Sequence, residues 1–121
     1  MPEHSLVVQF RTEGWGSVDD LDRRHRLEDV LDARLRADGN GECDGGDIGS
    51  GTVNIYLEGV IESIRAVEGV VAVLREVQAL DGAVIAQARY LETEEPEEKD
   101  LEGYTVLWPP GYKAEFDIMY L

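Results

Sequence analysis

Residues 44–57 read DGGDIGSGTVNIYL, a glycine-rich segment that leads into an alternating apolar pattern. Within it, Val53, Ile55 and Leu57 alternate with polar or amphipathic neighbours, which is the pattern of a strand with one apolar face. The residues just before, at 42–48, are a candidate hairpin partner, and the glycines that follow them suit the turn. The middle of the chain is therefore expected to form two antiparallel strands.

An amphipathic helix is predicted before this hairpin. It begins at Ser17, whose side chain can cap the helix N-terminus, and it ends at Gly39, a residue that suits a helix C-terminus. The apolar residues expected to face the core recur at roughly helical spacing, and they are Val18, Leu21, Leu27, Val30, Leu31 and Leu35.

The chain after the hairpin allows two interpretations. The apolar residues from Val60 to Leu74 fit a second amphipathic helix that runs to about Gln78. Residues 69–78 also fit the end of a short helix followed by a strand, because valines alternate with other residues there. We favour the single helix, and the strand remains the alternative.

Further strands are predicted at residues 6–10, 83–91 and 104–108. Together with the two helices, they give the order β-α-β-β-α-β followed by an extra strand. This is the order of the ferredoxin-like fold, an α+β sandwich in which two helices pack on one face of an antiparallel sheet. The sequence therefore predicts a ferredoxin-like fold with a C-terminal β extension.

The chain has 121 residues, of which 43% are hydrophobic, enough to form one domain with a core of its own. We expect a single domain over residues 1–121, with its core in residues 6–91. The segment 92–102 is so rich in acidic residues that a solvated loop is expected. Residues 103–121 are expected to form the β extension.

Charge limits the partners that this chain can bind. It has 26 acidic and 11 basic residues, which gives a formal net charge of -15 and a sequence pI near 4.3. Such a field repels nucleic-acid phosphates and anionic lipids and attracts basic protein surfaces. The N-terminus, Met1-Pro2-Glu3-His4, does not resemble a signal peptide, and no apolar run reaches the ~18 residues of a membrane span. We therefore expect a cytoplasmic protein with a basic protein partner, and no binding to nucleic acid or membrane.

The glycine-rich segment 39–51 is a candidate site for phosphate or calcium. A phosphate loop leads into a helix and carries a lysine, whereas this segment leads into a strand and is acidic. An EF-hand that started at Asp38 would need Gly and Glu where Cys43 and Gly49 stand. We expect no metal and no cofactor here, and we interpret the glycines as turn or bulge residues. The acidic neighbours of Cys43 are expected to raise its thiol pKa, which opposes nucleophilic use.

Partner-binding residues are predicted in two places. Trp108 and Tyr112 are candidate anchors in the C-terminal extension, since tryptophan and tyrosine are common interface residues. The alternative is that these aromatic side chains cover the sheet as part of the core. Candidate acidic contacts lie in the charged loop, and they are Glu94, Glu95, Glu97 and Glu98.

The stretch 44–55, followed by an amphipathic helix and a strand, resembles small stand-alone bacterial proteins of ferredoxin-like fold. The resemblance covers roughly residues 6–91 and implies no catalytic residue. Some small acidic proteins of comparable architecture are immunity proteins of toxin–antitoxin systems. The sequence thus predicts a non-enzymatic acidic protein-binding module, in its sharper form an immunity or inhibitor protein. The alternative is a small-molecule-binding or sensory domain.

Overall fold

A computed structural model describes five segments of the chain, residues 3–11, 20–49, 52–80, 82–91 and 100–112. They contain five strands and two helices. In chain order these elements are β1 (His4–Arg11), α1 (Asp20–Ala37), β2 (Glu42–Gly49), β3 (Thr52–Val60), α2 (Ser63–Glu76), β4 (Val84–Leu91) and β5 (Asp100–Trp108).

The five strands form one sheet in the order β2-β3-β1-β4-β5, and every neighbouring pair is antiparallel. The predicted α+β class is therefore confirmed, with two helices and a five-stranded sheet. The six-element order βαββαβ is not matched in full, because β5 is added beside β4 at one edge. In the described segments, no helix is long and apolar enough to cross a membrane.

The core lies between one face of the sheet and the two helices. Val8 on the central strand pairs with Ile55 on one side and with Ile85 on the other, and all three are fully buried. Leu31 of α1 and Leu74 of α2 are fully buried in the same cluster. Since α1 and α2 also contact each other, both helices cover the same face of the sheet.

The first helix follows the predicted stripe in part. Leu27, Leu31 and Leu35 are buried in the core, as the spacing predicts. Val30 does not belong to this stripe, because its side chain is 37% exposed. Residues one apart on a helix point about 100° away from each other, so Val30 cannot share the face of Leu31. The predicted start at Ser17 lies outside the described residues.

The hairpin and the single second helix are confirmed. β2 pairs with β3 in the predicted hairpin, and α2 runs without a break from Ser63 to Glu76. The strand alternative for residues 69–78 is therefore wrong. The apolar pattern places Val60 at the start of this helix, but Val60 ends β3 and pairs with His4 of β1.

The predicted acidic loop does not extend to residue 102. Its last three residues, 100–102, belong to β5, where Asp100 pairs with Leu91. Charged residues are tolerated in such a strand because it lies at the edge of the sheet. Residues 92–99, which include the four candidate glutamates of the loop, lie outside the described residues.

Candidate functional site

A groove with a volume of about 390 Å³ lies between α2 and the end of β5. Its walls are mainly apolar, and two exposed charged residues, Glu68 and Arg75, also line it at the rim. Pockets of this size and composition are typical of sites that bind small molecules or apolar side chains. The apolar lining residues are Ile64, Val67, Val71 and Ala72 of α2 and Leu107 and Trp108 of β5.

The sequence of α2 explains why this groove exists. One stripe of the helix, which includes Ala66, Val70 and Leu74, packs into the core. A second stripe beside it carries Ile64 and Val67, and the sheet does not cover it fully. Ile64 is 76% exposed, more than Val30, Ile48 or Val77, the other exposed large hydrophobic side chains of the described segments. The groove is therefore an apolar surface that the fold leaves open to solvent.

Trp108 forms part of the groove wall. Its side chain is half-buried and packs against the core, and in the sheet it pairs with Ile85. The candidate anchor thus offers one side to the core and another to the groove. Tyr112 is also half-buried, and its backbone N–H donates to the carbonyl oxygen of Pro109 at 3.3 Å, but it does not line the groove. The structure therefore does not bring Trp108 and Tyr112 together in one site.

The charges at the groove rim are two turns apart on α2. Glu68 and Arg75 are both exposed, and neither forms an ion pair within the described part of the chain. Seven residues of helix span about 10 Å, so Glu68 and Arg75 face different parts of the groove, and Ile64 lies one further turn beyond Glu68. An occupant would meet a guanidinium at one end of the groove and a carboxylate about two turns away from it.

A second cluster, which we call the polar sheet cluster, lies on the face of the sheet opposite the helices. It consists of Gln9, Asp47, Thr52, Asn54 and Tyr56. Asn54 is only 1% exposed, and its Oδ1 accepts from Gln9 Nε2 at 2.9 Å. Both oxygens of Asp47 are engaged, since Oδ1 accepts from Asn54 Nδ2 at 2.9 Å and Oδ2 from the Tyr56 hydroxyl at 2.7 Å.

This cluster binds three strands together, because its members come from β1, β2 and β3. Asn54 and Tyr56 are not among the site residues that the sequence predicts. Their signal was the alternation in β3, which places them on the face opposite to Val53 and Ile55. The hydrogen bonds account for the buried amide of Asn54, so the geometry supports a structural role.

The glycine-rich segment has a structural explanation at two positions. A Cβ on Gly46 would lie 2.3 Å from the carbonyl oxygen of Asn54, and a Cβ on Gly41 would lie 2.8 Å from that of Glu58. Gly41 also has a φ of 116°, which L side chains rarely adopt. Glycine at these positions therefore allows the chain to approach β3 closely. The described residues contain no group of three or more His, Cys, Asp or Glu side chains that could hold a metal ion.

Cys43 is half-buried on β2, and burial raises its thiol pKa to about 11. Repulsion from Glu28, Asp32 and Asp44 adds to the rise, while a hydrogen bond from the backbone of Gly45 to the sulfur opposes it. The direction agrees with the sequence-based prediction, but burial is the larger cause. The thiol is thus protonated at neutral pH, which does not suit a nucleophile.

Comparison with known proteins does not assign the chain to a family. No protein-family model, no curated protein and no solved structure matches the chain.

Proposed function

We propose that this chain is a non-enzymatic acidic module that binds a basic protein. The observation that carries the proposal is how the excess negative charge is distributed. Four arginines of the described segments are ion-paired with carboxylates, at distances of 2.6 to 3.8 Å, and they are Arg24, Arg34, Arg36 and Arg65.

Other carboxylates are not neutralised in this way. In the segments that the structure describes, six acidic residues are exposed and form no ion pair, and they are Glu3, Asp22, Asp29, Asp44, Glu68 and Glu76. The ion pairs within the chain engage these four arginines with other carboxylates, so the six unpaired carboxylates face solvent. A surface of this kind steers a basic protein into contact and accelerates association.

In its sharper form, the proposal is an immunity or inhibitor protein of the cytoplasm that neutralises a basic partner. Tight inhibition needs a desolvated anchor as well as steering, and Trp108 in the groove wall supplies a candidate. The finer fold assignment belongs to the same proposal. The strands β2-β3-β1-β4 and the two helices support a ferredoxin-like core, to which β5 is an addition.

The second candidate is a small-molecule-binding or sensory domain. The observation that favours it is the groove itself, whose volume of about 390 Å³ lies in the range of ligand pockets. A small ligand with mainly apolar contacts would bind with little dependence on salt. Binding of a basic protein would weaken as the salt concentration rises. Salt dependence therefore separates the two candidates.

The test is to capture the partner from the native host and to measure its association rate with the purified chain. We expect a basic protein whose association slows as salt rises from about 50 to about 500 mM, where the Debye length falls from roughly 14 to 4 Å. Retention of a metabolite alone, or association that salt does not change, would contradict the proposal and favour the second candidate.

A pair of variants checks that the unpaired carboxylates are responsible. The triple variant Asp22→Asn, Asp29→Asn and Asp44→Asn removes three of them and should slow association several-fold at low salt. The matched control changes the same three residues to glutamate, which keeps the charge, and should associate at the wild-type rate. Equal rates for both triple variants would show that these carboxylates do not steer the partner.

A further inference from the structure

We infer that the groove between α2 and β5 is the anchor site for the basic partner, and that it takes an apolar side chain flanked by lysine or arginine. The inference rests on the proposed function, since it names the part of the partner that this chain recognises. Charge alone gives fast but salt-sensitive association, and an apolar anchor would add the part of the affinity that salt does not remove.

The apolar part of the inference follows from the walls. Ile64 of α2 stands 76% exposed on one side of the groove, and Trp108 and Leu107 of β5 lie on the other. A leucine or phenylalanine side chain inserted between them would remove apolar surface from water on both sides. Tryptophan is enriched among the residues that dominate the binding energy at protein interfaces.

The basic part follows from the charge at the rim and over the whole chain. Glu68 is exposed at the rim without an ion pair in the described residues, and the chain carries a net charge of -15. A lysine beside the inserted apolar side chain would pair with Glu68. An anionic amphiphile could pair with Arg75, but the net negative charge of the protein would repel it as it approached.

Arg75 gives the groove a direction. It lies two turns from Glu68 along α2, and it repels a basic residue at that end. The flanking lysine or arginine is therefore placed beside Glu68, with an uncharged part of the partner near Arg75. This orientation predicts opposite effects when the two charges are neutralised.

The experiment uses the full chain and two short capped peptides of equal lysine content. The first peptide carries two leucines one helical turn apart, and in the second both leucines are serine. Binding is measured by fluorescence anisotropy at about 50 and about 500 mM salt. We expect the leucine peptide to bind about tenfold more tightly than the serine peptide at high salt, the effect of burying roughly one apolar side chain.

Variants of the protein test whether the difference in affinity between the two peptides arises in the groove. Ile64→Ser should remove about that tenfold advantage of the leucine peptide and leave the serine peptide unchanged. Ala72→Gln, which fills the groove from an exposed helix position, should do the same. Val77→Ser is the matched control, because it also removes an exposed aliphatic side chain near the same helix but does not line the groove. Glu68→Gln should weaken the leucine peptide and Arg75→Gln should strengthen it.

The remaining outcomes show whether the inference alone or also the proposed function is wrong. If both groove variants bind the leucine peptide as the wild type does, the groove is not the anchor site, while salt-dependent binding of both peptides would still support the proposed function. If Arg75→Gln weakens binding, the groove recognises an anionic group and the inference is wrong. If the wild type binds neither peptide at low salt, the result contradicts both the inference and the proposed function.

Discussion

The carboxylate of Asp32 on α1 accepts the backbone N–H of Cys43 on β2, with 2.9 Å between Oδ1 and the nitrogen. The same carboxylate pairs with Arg36 at 2.9 Å. A single acidic side chain thereby fastens the helix to the edge strand of the sheet. The hydrogen bond from Cys43 is the main reason why the pKa of Asp32 lies below its ordinary value, and Arg36 lowers it further against the effect of burial.

The substitution Asp32→Asn should destabilise the fold at neutral pH, and this destabilisation should disappear at low pH. Because the folded-state pKa is lowered, ionised Asp32 stabilises the fold above its unfolded pKa of about 4, and the contribution disappears as pH falls through the lower folded value. We expect a loss of about 1 kcal/mol at pH 7, since the side chain is partly exposed. Urea unfolding of the variant and the wild type at about pH 7 and about pH 3 measures the difference.

The control for this prediction is Asp29→Asn, an exposed position on the same helix without a hydrogen bond or ion pair among the described residues. It removes the same charge from the chain, so it reports the relief of general repulsion. A difference between Asp32→Asn and wild type that stays constant with pH would show that the ionised carboxylate is not the stabilising form.

Asn40→Ala should be more costly than a surface substitution. Asn40 is 5% exposed, and its Oδ1 accepts the backbone N–H groups of Ile61 and Glu62 at 2.9 and 2.8 Å, while its Nδ2 donates to the carbonyl oxygen of Glu62 at 2.9 Å. The side chain thus joins the end of α1 to the start of α2. Removing it takes the hydrogen-bond acceptor from the backbone N–H groups of Ile61 and Glu62, and we expect a loss of about 2 kcal/mol in the free energy of unfolding.

The neighbouring substitution Asp38→Ala is the comparison. It removes the ion pair with Arg34, in which the closest atoms are 2.9 Å apart and both side chains are largely exposed, so the loss should stay below about 1 kcal/mol. Similar losses for Asn40→Ala and Asp38→Ala in denaturant titrations would mean that the loop between α1 and β2 relaxes to satisfy the freed groups.

Cys43 should react slowly with thiol reagents in the folded protein. With the pKa raised to about 11, the thiolate fraction near pH 8 is about a hundredfold below that of an ordinary cysteine. The rate of alkylation should rise about tenfold per pH unit until the fold or the reagent fails, and it should become ordinary in denaturant. A rate that levels off near pH 8.5 in the folded state would contradict the raised pKa.

The periodicity of the sequence predicts the elements that pack by one regular face. The leucines of α1 at 27, 31 and 35 and the alternation of β3 are of this kind, because burial follows directly from the helical and strand periods. The errors occur where two patterns overlap. Val60 suits both the end of a strand and the start of a helix, and only its pairing with His4 decides between them.

The two candidate sites could not be predicted in the same way. The groove depends on how β5 stands relative to α2, which are distant in sequence and joined through the sheet. The polar sheet cluster depends on the register of the hairpin, in which Gly49 pairs with Thr52 and Asp47 therefore pairs with Asn54. The glycines at 45, 46, 49 and 51 suit more than one turn position, so the sequence pattern alone does not fix this register.

Asn54→Leu tests whether the polar sheet cluster is part of the framework. The substitution keeps the size of the side chain but removes the bonds to Gln9, Asp47 and Thr52, the last at 3.3 Å. Because Asn54 is buried and one oxygen of Asp47 loses its donor, we expect the free energy of unfolding to fall by about 2–4 kcal/mol. Thermal and urea unfolding give the measurement.

Tyr56→Phe provides the graded comparison, since it removes only the hydroxyl that donates to Asp47 Oδ2 at 2.7 Å. The tyrosine is half-buried, so the expected loss is about 1 kcal/mol. The ranking of the two losses in the free energy of unfolding matters more than either value. If the cluster holds the strands together, the loss must be greatest when its central amide is removed. If Asn54→Leu unfolds like the wild type, the hydrogen bonds around Asp47 do not stabilise the sheet, and this carboxylate and its tyrosine become candidates for a binding role.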